Sequence, residues 1–288
     1  MANPKLRLAE NVSGEFFVDS TCIDCDTCRQ IAPETFRDHG EASSVYRQPE
    51  SQKELNLANM ALVACPTGSI GAGKFLDARA AINSFPSLIS ENVYYCGFNS
   101  ESSFGAWSYL IARPEGNILI DSPRFASPLV KKIEKMGGVS EMFLTHRDDI
   151  ADHARFAEKF GAERIMHAAD GARRYGIEQI IEGETPVRID DELTIIPVPG
   201  HTRGSQVLLY KNKFLFTGDH LAWSPNRNSL FAFRSVCWYS WAEQTRSMER
   251  LLDYEFEWVL PGHGRIAQRP KQEMKKHLIE CVEWMKGF

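Results

Sequence analysis

The stretch Thr145–His153 reads THRDDIADH and places five potential metal ligands within nine residues. It joins a predicted strand at Glu141–Thr145 to a predicted helix at Ala151–Phe160. Three further motifs also stand at the end of a strand or the start of a helix: PGHT at 199–202, TGDH at 217–220 and PGHG at 261–264. Strand ends on one edge of a sheet converge, and imidazoles with carboxylates there can hold zinc, iron or manganese. The second half of the chain therefore predicts a metal site at a sheet edge.

The chain around these motifs alternates short apolar strands with helices from Tyr94 onward. Such alternation predicts a mixed sheet covered by helices, in an α/β or α+β layered domain. The predicted strands are 107–112, 117–121, 141–145, 163–167, 193–197, 206–210, 214–217 and 258–260, and the predicted helices are 128–136, 151–160, 241–254 and 270–285.

The first quarter of the chain carries a different kind of ligand. Residues 22–28 read CIDCDTC, and Cys65 follows a predicted helix at 50–64 that could bring a fourth thiolate back to this loop. Three cysteines in a C-x-x-C-x-x-C run hold three corners of an iron–sulfur cubane, and the fourth cysteine completes it. A structural zinc site is the alternative, although zinc sites favour paired C-x-x-C units. The pattern favours an iron–sulfur cluster.

Length and composition set the wider frame. At 288 residues, with 43% hydrophobic and 25% charged residues, the chain is expected to be a soluble protein of two domains, 1–75 and 92–288, with a linker at 76–91. The net charge of −5 favours neither nucleic acid nor an anionic membrane as a partner. No apolar run approaches the ~20 residues of a membrane span, and the N-terminus lacks the apolar core of a signal peptide. We expect a cytoplasmic location, where seven cysteines are better explained by metal than by disulfides.

Residues 15–74 resemble a single-cluster bacterial ferredoxin. The resemblance rests on the CIDCDTC run and on ACPTGSIG at 64–71. It implies a [4Fe-4S] cluster that is bound by Cys22, Cys25, Cys28 and Cys65 and carries one electron.

Residues 92–268 resemble the metallo-β-lactamase fold superfamily through the four histidine and aspartate motifs. The resemblance implies a four-layer αββα sandwich with a dinuclear metal site at the sheet edge. It makes Asp121 an aspartate that steadies the ligands, His201 the third histidine of the pattern, Asp219 the bridging carboxylate and His263 the last histidine.

The first motif departs from the family pattern H-x-H-x-D-H. Asp148 replaces the second histidine, and two extra residues precede Asp152. The preferred assignment gives His146, Asp148 and His201 to one metal and Asp219 to both; the other metal then takes Asp152, His153 and His263. Asp149 competes for a ligand role, and its replacement by alanine is expected to cost little metal. The carboxylate at 148 resembles the flavodiiron branch and is compatible with iron, while a one-metal site remains the alternative.

Other residues near the motifs receive provisional roles. Asp152 and His220 are the candidate catalytic residues; for His220, packing outside the site is the alternative, because neighbouring strand residues point to opposite faces. Arg147 and Arg203 could bind an anionic substrate. We expect structural or surface roles for His167 and His277, buried apolar roles for Cys96, Cys237 and Cys281, and core packing for the aromatic stretch Phe231–Trp241.

Two functions follow from these patterns. The first is an oxidoreductase, in which cluster electrons reach a diiron-like site; the second is a zinc or iron hydrolase of an ester, thioester, lactone or amide. An electron-transfer scaffold with a structural metal is a third possibility. A hydrolase needs no electron carrier, so the fused ferredoxin favours redox chemistry on a small-molecule substrate, with a redox partner protein as a possible electron source.

Overall fold

The structure, a computed structural model, describes residues 2–288, which form two compact units. The first unit holds the residues up to Asn117 together with Ser122–Val139 and Ala151–Phe156. The second holds Ile118–Asp121, Ser140–Ile150 and Ala157–Phe288. None of the helices within residues 2–288 is long and apolar enough to cross a membrane.

The N-terminal part of the first unit is built from two small hairpin-like sheets and two helices. Strand β1 (Phe17–Val18) pairs antiparallel with β4 (Ile70–Gly71), and β2 (Phe36–Asp38) pairs antiparallel with β3 (Ser43–Val45). Helix α1 spans Thr27–Ile31 and α2 spans Gln52–Ala64. Their apolar side chains share one core with the first strand, formed by Phe16, Val18, Phe36, Val45, Ala58, Ala61 and Ile70.

Local sequence explains where α2 begins and ends. Ser51 accepts a hydrogen bond from the Glu54 amide while the Glu54 side chain accepts one from the Ser51 amide, a reciprocal cap at the N-terminus. At the other end, Pro66 disfavours helical geometry at Cys65 and so stops the helix there. The predicted helix at 50–64 is therefore confirmed, and its end places Cys65 where the chain turns back.

The remainder of the first unit contains an antiparallel sheet of order β5-β6-β7 (Ser87–Ser90, Val93–Tyr95 and Tyr109–Ile111) and two further helices. These are α3 (Ala78–Asn83) and α4 (Ser127–Lys135). Residues 76–91, expected to be a linker, thus contain α3 and β5. The domain boundaries themselves stay a prediction.

The second unit contains two larger groups of strands. Strands β8 (Ile118–Ile120), β9 (Glu141–Phe143), β10 (Glu163–His167) and β11 (Gln179–Ile181) run parallel in that order. A mixed sheet has the order β12-β13-β14-β15-β18-β19. Its strands are Val187–Arg188, Leu193–Pro197, Gln206–Tyr210, Phe214–Gly218, Trp258–Pro261 and Ala267–Gln268, and β16 (Ala222–Ser224) pairs with β17 (Ser229–Phe231) beside it.

Helices complete this unit. Helix α5 (His153–Phe160) has residues in both units, whereas α6 (Trp241–Leu251) and α7 (Lys271–Lys286) lie wholly in the second. Apolar residues of α6 and α7 pack in one core with those of the mixed sheet, including Leu209, Leu215, Met248 and Leu278. Strands and helices from residue 107 onward confirm the predicted α/β class.

Strand direction places three of the four motifs at one edge. β13 and β15 are both antiparallel to β14, and β15 is parallel to β18, so the C-terminal ends of β13, β15 and β18 share an edge. His201, Asp219 and His263 follow these three ends. The predicted convergence is confirmed, and it depends only on chain direction within one sheet.

Candidate functional site

The first candidate site is a cavity lined by all four N-terminal cysteines, with apolar walls from Val18 and Ile70. The loop before α1 bends at Asp24 (φ 57°) and Asp26 (φ 65°), left-handed conformations that aspartate tolerates better than most residues. The cysteines are Cys22 and Cys25 on this loop, Cys28 in the first turn of α1 and Cys65 at the end of α2, and none of them is in a disulfide.

Burial disfavours the anionic form of Cys22, Cys25 and Cys28. It raises the pKa of Cys22 and Cys28 and raises that of Cys25 to about 11. Since thiolates bind metal and thiols do not, the cavity suits a group that brings its own positive charge. Three thiols within the short segment 22–28 and a fourth at the end of α2, around an apolar-walled space, fit the iron–sulfur cubane.

The second candidate site begins at His146, directly after β9. Asp121 accepts hydrogen bonds from the amide and the hydroxyl of Thr145 at 2.8 and 3.0 Å, and the Thr145 hydroxyl lies 3.0 Å from Nδ1 of His146. The imidazole is thereby held by Nδ1, and its buried Nε2 has no hydrogen-bond partner within residues 2–288. Asp121 therefore positions the His146 imidazole through Thr145, and its role in steadying a metal ligand stays a prediction.

His146 and His201 face two carboxylates with their Nε2 atoms. Oδ2 of Asp148 lies 3.8 Å from His146 and 3.5 Å from His201, and Oδ2 of Asp219 lies 3.7 and 3.8 Å from the same nitrogens. Two ligands at about 2.1 Å from a tetrahedral ion are about 3.4 Å apart, so these spacings suit donors around an ion better than direct hydrogen bonds. The arrangement fits a metal ion held by His146, Asp148, His201 and Asp219.

Asp149 is drawn into the same site. Its ligand atom and those of His146 and Asp219 all lie within 4.8 Å of one another. Its side chain is buried, with 1% of the residue exposed, and neither carboxylate oxygen has a hydrogen-bond partner in the described part of the chain. Burial and then the nearby Asp219 raise its pKa well above the usual range. A buried carboxylate in this position fits a metal ligand. Without a bound cation, burying its charge would cost free energy of folding.

The turn after β18 brings the last histidine to Asp219. Nδ1 of His263 lies 2.8 and 3.0 Å from the two oxygens of Asp219. Gly262 permits this approach, because a Cβ there would lie 2.5 Å from Oδ2 of Asp149 and 3.0 Å from Oδ1 of Asp219. The backbone at position 262 thus packs so closely against the two carboxylates that the residue there has to be glycine.

The structure therefore brings together five of the predicted ligands and adds Asp149 to them. The five are His146, Asp148, His201, Asp219 and His263. Asp152 has another contact, since its Oδ2 accepts a hydrogen bond from the Phe125 amide at 2.7 Å. His153 is buried as the first residue of α5. Ligand roles for Asp152 and His153, and a catalytic role for Asp152, stay predictions.

His220 follows Asp219 in the sequence, and its imidazole is buried. Neither ring nitrogen has a hydrogen-bond partner among residues 2–288, and its carbonyl accepts a bond from Nε2 of Gln244 at 2.9 Å. Burial, followed by the charges of His201 and Arg250, lowers its pKa to about 3. The side chain is therefore a neutral imidazole, and its catalytic role stays a prediction.

Asp170 is a residue that sequence reasoning missed. Its Oδ2 accepts hydrogen bonds from the Arg147 amide at 3.0 Å and from the Thr202 hydroxyl at 2.6 Å, and its Oδ1 accepts one from the Gly204 amide at 2.7 Å. One buried carboxylate thus ties the His146 loop to the His201 loop. No local pattern marks it, because its partners are distant in sequence.

The flanking residues divide between the predicted roles and others. His167 and His277 hydrogen-bond with the Gly183 carbonyl and the Ser229 hydroxyl, and Cys96 and Cys281 are buried as expected. Cys237 is only partly buried, and its thiol donates to the Gly200 carbonyl at 3.2 Å. Arg147 and Arg203 are exposed.

The expectation of core packing was wrong for part of the aromatic stretch. Trp238 is 60% exposed and Tyr239 is 47% exposed. Both backbone amides donate to the His201 carbonyl, and the Trp238 ring centroid lies 6.4 Å from the His201 ring. These rings stay at the surface because the segment is anchored through its backbone to the turn that carries His201, which leaves their side chains outside the core.

Comparison with known proteins identifies the N-terminal domain and the fold of the remainder of the chain. Residues 18–72 match the family described as the 4Fe-4S single cluster domain of ferredoxin I. Among solved structures, the DIM-1 metallo-β-lactamase aligns with a TM-score of 0.53 at 18% identity, covering 69% of this chain and 95% of that one. The metallo-β-lactamase from Hirschia baltica aligns with a TM-score of 0.52 at 16% identity, covering 68% and 95%. The chain is a metallo-β-lactamase-fold protein, and its N-terminal region carries a ferredoxin-type 4Fe-4S domain.

Curated relatives extend the comparison to sequence. The hydroxyacylglutathione hydrolase of Anaeromyxobacter dehalogenans is 32% identical over 123 residues, which is 41% of this chain and 47% of that protein. The hydroxyacylglutathione hydrolase of Xanthomonas euvesicatoria is 30% identical over 118 residues, 40% and 45% of the two chains. The chain thus spans less than half the length of these relatives, and they support an enzyme without specifying its reaction class.

Proposed function

We propose that this protein is a metal-dependent oxidoreductase that uses electrons from its own [4Fe-4S] cluster at the histidine and aspartate centre. One observation carries the proposal: a single chain holds a ferredoxin-type thiol cavity and a buried, carboxylate-rich imidazole centre. A tether keeps an electron carrier at high local concentration, which benefits a reaction that consumes electrons and adds nothing to simple hydrolysis.

The donor set supports iron at the second site. Two imidazoles with one carboxylate, here His146, His201 and Asp148, form the kind of set that non-haem iron oxygenases use, and the carboxylates of Asp149 and Asp219 add further hard oxygen donors. When bound, the cluster supplies single electrons and the ions supply a Lewis-acidic, redox-active centre. We assign His146, Asp148 and His201 to one ion, Asp149 and His263 to the other, and Asp219 to both.

The chain's own groups prepare this centre for a small-molecule substrate. Asp121 and Asp170 fix the two histidine loops, so the donors need little rearrangement. Trp238 and Tyr239 present exposed rings next to His201, where they can cover an apolar part of a substrate. Arg147, exposed and 3.8 Å from Asp148, can hold an anionic group near the centre.

The proposal is tested on full-length protein purified without oxygen. We expect a brown protein with about four irons and four sulfides from the cluster, besides the metal of the second site. Dithionite should reduce the cluster first and the second centre afterwards. The Cys28→Ala variant should lose the cluster and slow that second reduction while keeping the metal of the second site. Stoichiometric zinc without sulfide, or a second centre that is reduced equally fast without the cluster, would overturn the proposal.

Hydrolysis is the second candidate, and the two hydroxyacylglutathione hydrolase relatives favour it. A panel of ester, thioester, lactone and amide substrates separates the two functions. The rate of cleavage of each substrate is measured with full-length protein, once with the cluster oxidised and once with it reduced. Rapid cleavage at a rate that is the same in both states, and unchanged in Cys28→Ala, supports the hydrolase and excludes a role for the electrons.

A further inference from the structure

The loop at residues 95–107 falls outside the ferredoxin match at 18–72, yet it contacts Cys25 and Thr27, two residues that line the cysteine cavity. The closest approach is at Gly105, which has a φ of +83°. A Cβ at this position would lie 2.7 Å from Cβ and 2.9 Å from Sγ of Cys25. Only glycine fits there, so this loop is packed directly onto one predicted ligand of the cluster.

A buried chain of hydrogen bonds joins the same loop to the same sulfur. The Thr27 hydroxyl lies 3.5 Å from Sγ of Cys25. Nδ2 of Asn99 donates to that hydroxyl at 3.0 Å and to the Gly105 carbonyl at 2.6 Å. The Tyr95 hydroxyl donates to Oδ1 of Asn99 at 2.6 Å, which fixes the orientation of the amide. Thr27, Asn99 and Tyr95 are all buried, so water does not compete for these bonds.

The number of protons decides where the threonine hydroxyl points. A cysteine that binds a cluster is a thiolate and can only accept, whereas a hydroxyl has one proton to donate. The Thr27 hydroxyl donates to the Gly105 carbonyl at 3.3 Å and accepts from the Cys25 thiol at 3.5 Å; once Cys25 is a thiolate, its sulfur becomes a second acceptor for the Thr27 proton. Asn99 already supplies that carbonyl with a shorter bond and occupies a lone pair of the hydroxyl. The carbonyl could accept a second bond, but the thiolate sulfur is charged and is therefore the stronger acceptor, so the proton goes to the sulfur while Asn99 serves the carbonyl.

We propose that Asn99 is a positioning residue that directs the Thr27 hydroxyl onto the Cys25 sulfur and so raises the reduction potential of the cluster. Reduction adds negative charge that the ligand sulfurs share, and a donor at a sulfur stabilises the reduced state more than the oxidised one. The inference rests on the proposed function only in that a cluster is bound at the four cysteines; it does not require that the electrons reach the second centre.

The test is a redox titration of the full-length, cluster-loaded protein followed by electron paramagnetic resonance. Asn99→Leu removes the donors and keeps the branching of the side chain, and Thr27→Val removes the hydroxyl. Each should lower the midpoint potential, so that the ratio of reduced to oxidised cluster at a fixed potential falls several-fold, where tenfold corresponds to about 59 mV. Because Asn99 acts through Thr27, the double variant should shift no further than Thr27→Val alone.

Thr67 supplies the matched control. Its hydroxyl lies 3.7 Å from Sγ of Cys65 and 2.6 Å from the Ser69 hydroxyl. In a Thr67→Val background, Asn99→Leu should therefore keep its full effect. Iron and sulfide content is measured for every variant. If Asn99→Leu does not assemble a cluster, Tyr95→Phe is used, which removes only the hydroxyl that orients the amide and should shift the potential in the same direction by a smaller amount.

Two results would overturn the inference. One is an unchanged potential in a fully loaded Asn99→Leu or Tyr95→Phe protein. The other is a shift that adds in full to that of Thr27→Val, since this would show an effect of Asn99 that bypasses the hydroxyl. A shifted potential in a protein whose second centre is never reduced would leave this inference intact and reject the proposed function.

Discussion

Replacing Asp149 by asparagine should remove metal from the second centre without destabilising the metal-free protein. The carboxylate is buried, neither oxygen has a hydrogen-bond partner within residues 2–288, and Asp219 and Asp121 add like charge nearby. Asparagine keeps the volume and removes the charge, so the metal-free variant should unfold at the same temperature as the metal-free wild type or at a higher one. This reverses the expectation from sequence, in which loss of Asp149 costs little metal.

The size of the effect follows from linkage. Loss of a residue that only supports a ligand costs about 10–100-fold in metal affinity, so loss of a ligand should cost about 100-fold or more. At about 1.4 kcal/mol per tenfold, that is about 2.7 kcal/mol of binding energy. Because metal binds the folded state, the stabilisation by excess metal falls by the same amount. At about 2.1 cal/mol/K of unfolding entropy per residue, the metal-induced rise in Tm of a 288-residue chain should shrink by about 4–5 °C.

Calorimetry of chelator-treated and metal-loaded protein measures this difference, and competition with a chelator gives the affinity. Asp191→Asn is the control for the charge change, because that side chain is 98% exposed in the same unit. An equal metal-induced rise in Tm for wild type and Asp149→Asn would refute the assignment of Asp149 as a ligand.

Three further predictions concern residues of the same unit. Asp219→Ala should lose more metal than Asp148→Ala in elemental analysis, because Asp219 faces both Nε2 atoms and His263 whereas Asp148 is 42% exposed at the rim; equal losses would argue against a bridging role. Asp170→Asn should lower the metal affinity about 10–100-fold, as measured by competition with a chelator. Thr202→Val removes one of the three hydrogen bonds that Asp170 accepts and should lower the metal affinity less. Glu178→Gln should lower Tm at pH 7, because the bonds from Arg164 lower the pKa of Glu178 to about 2 from 4.5. That stability is present above pH 4.5 and is lost towards pH 2, so the two melting curves should converge on acidification, and a gap that is constant with pH would exclude the ion pair as its source.

Long elements with a clear apolar rhythm could be predicted from the sequence. Helix α7 is observed at Lys271–Lys286 and was expected at 270–285, and β13 and β14 have the expected bounds. The pairs β2 and β3 and β16 and β17 were not expected, because strands of three residues leave no periodicity to recognise. Their positions depend on which neighbours pair with them.

The candidate metal ligands likewise divide into those that local sequence places and those that it does not. His201, Asp219 and His263 follow strand ends, and local sequence suffices to place them because a strand end is a local property. Asp149 and Asp152 cannot be ranked in that way, since the insertion leaves both within reach of the pattern. Burial of the Asp149 carboxylate between Asp219 and Gly262 is set by the approach of two distant turns.

The sequence by itself determined the two kinds of metal chemistry, because ligand types and their short spacings are written in adjacent residues: CIDCDTC with Cys65, and the four histidine and aspartate motifs. Only the tertiary structure decided which groups support those ligands. Asp170 reaches partners 23 and 32 residues away, and Asn99 reaches Thr27 across 72 residues. A hydrogen bond between such residues depends on the folded path of the whole intervening chain, which no local pattern of residues records.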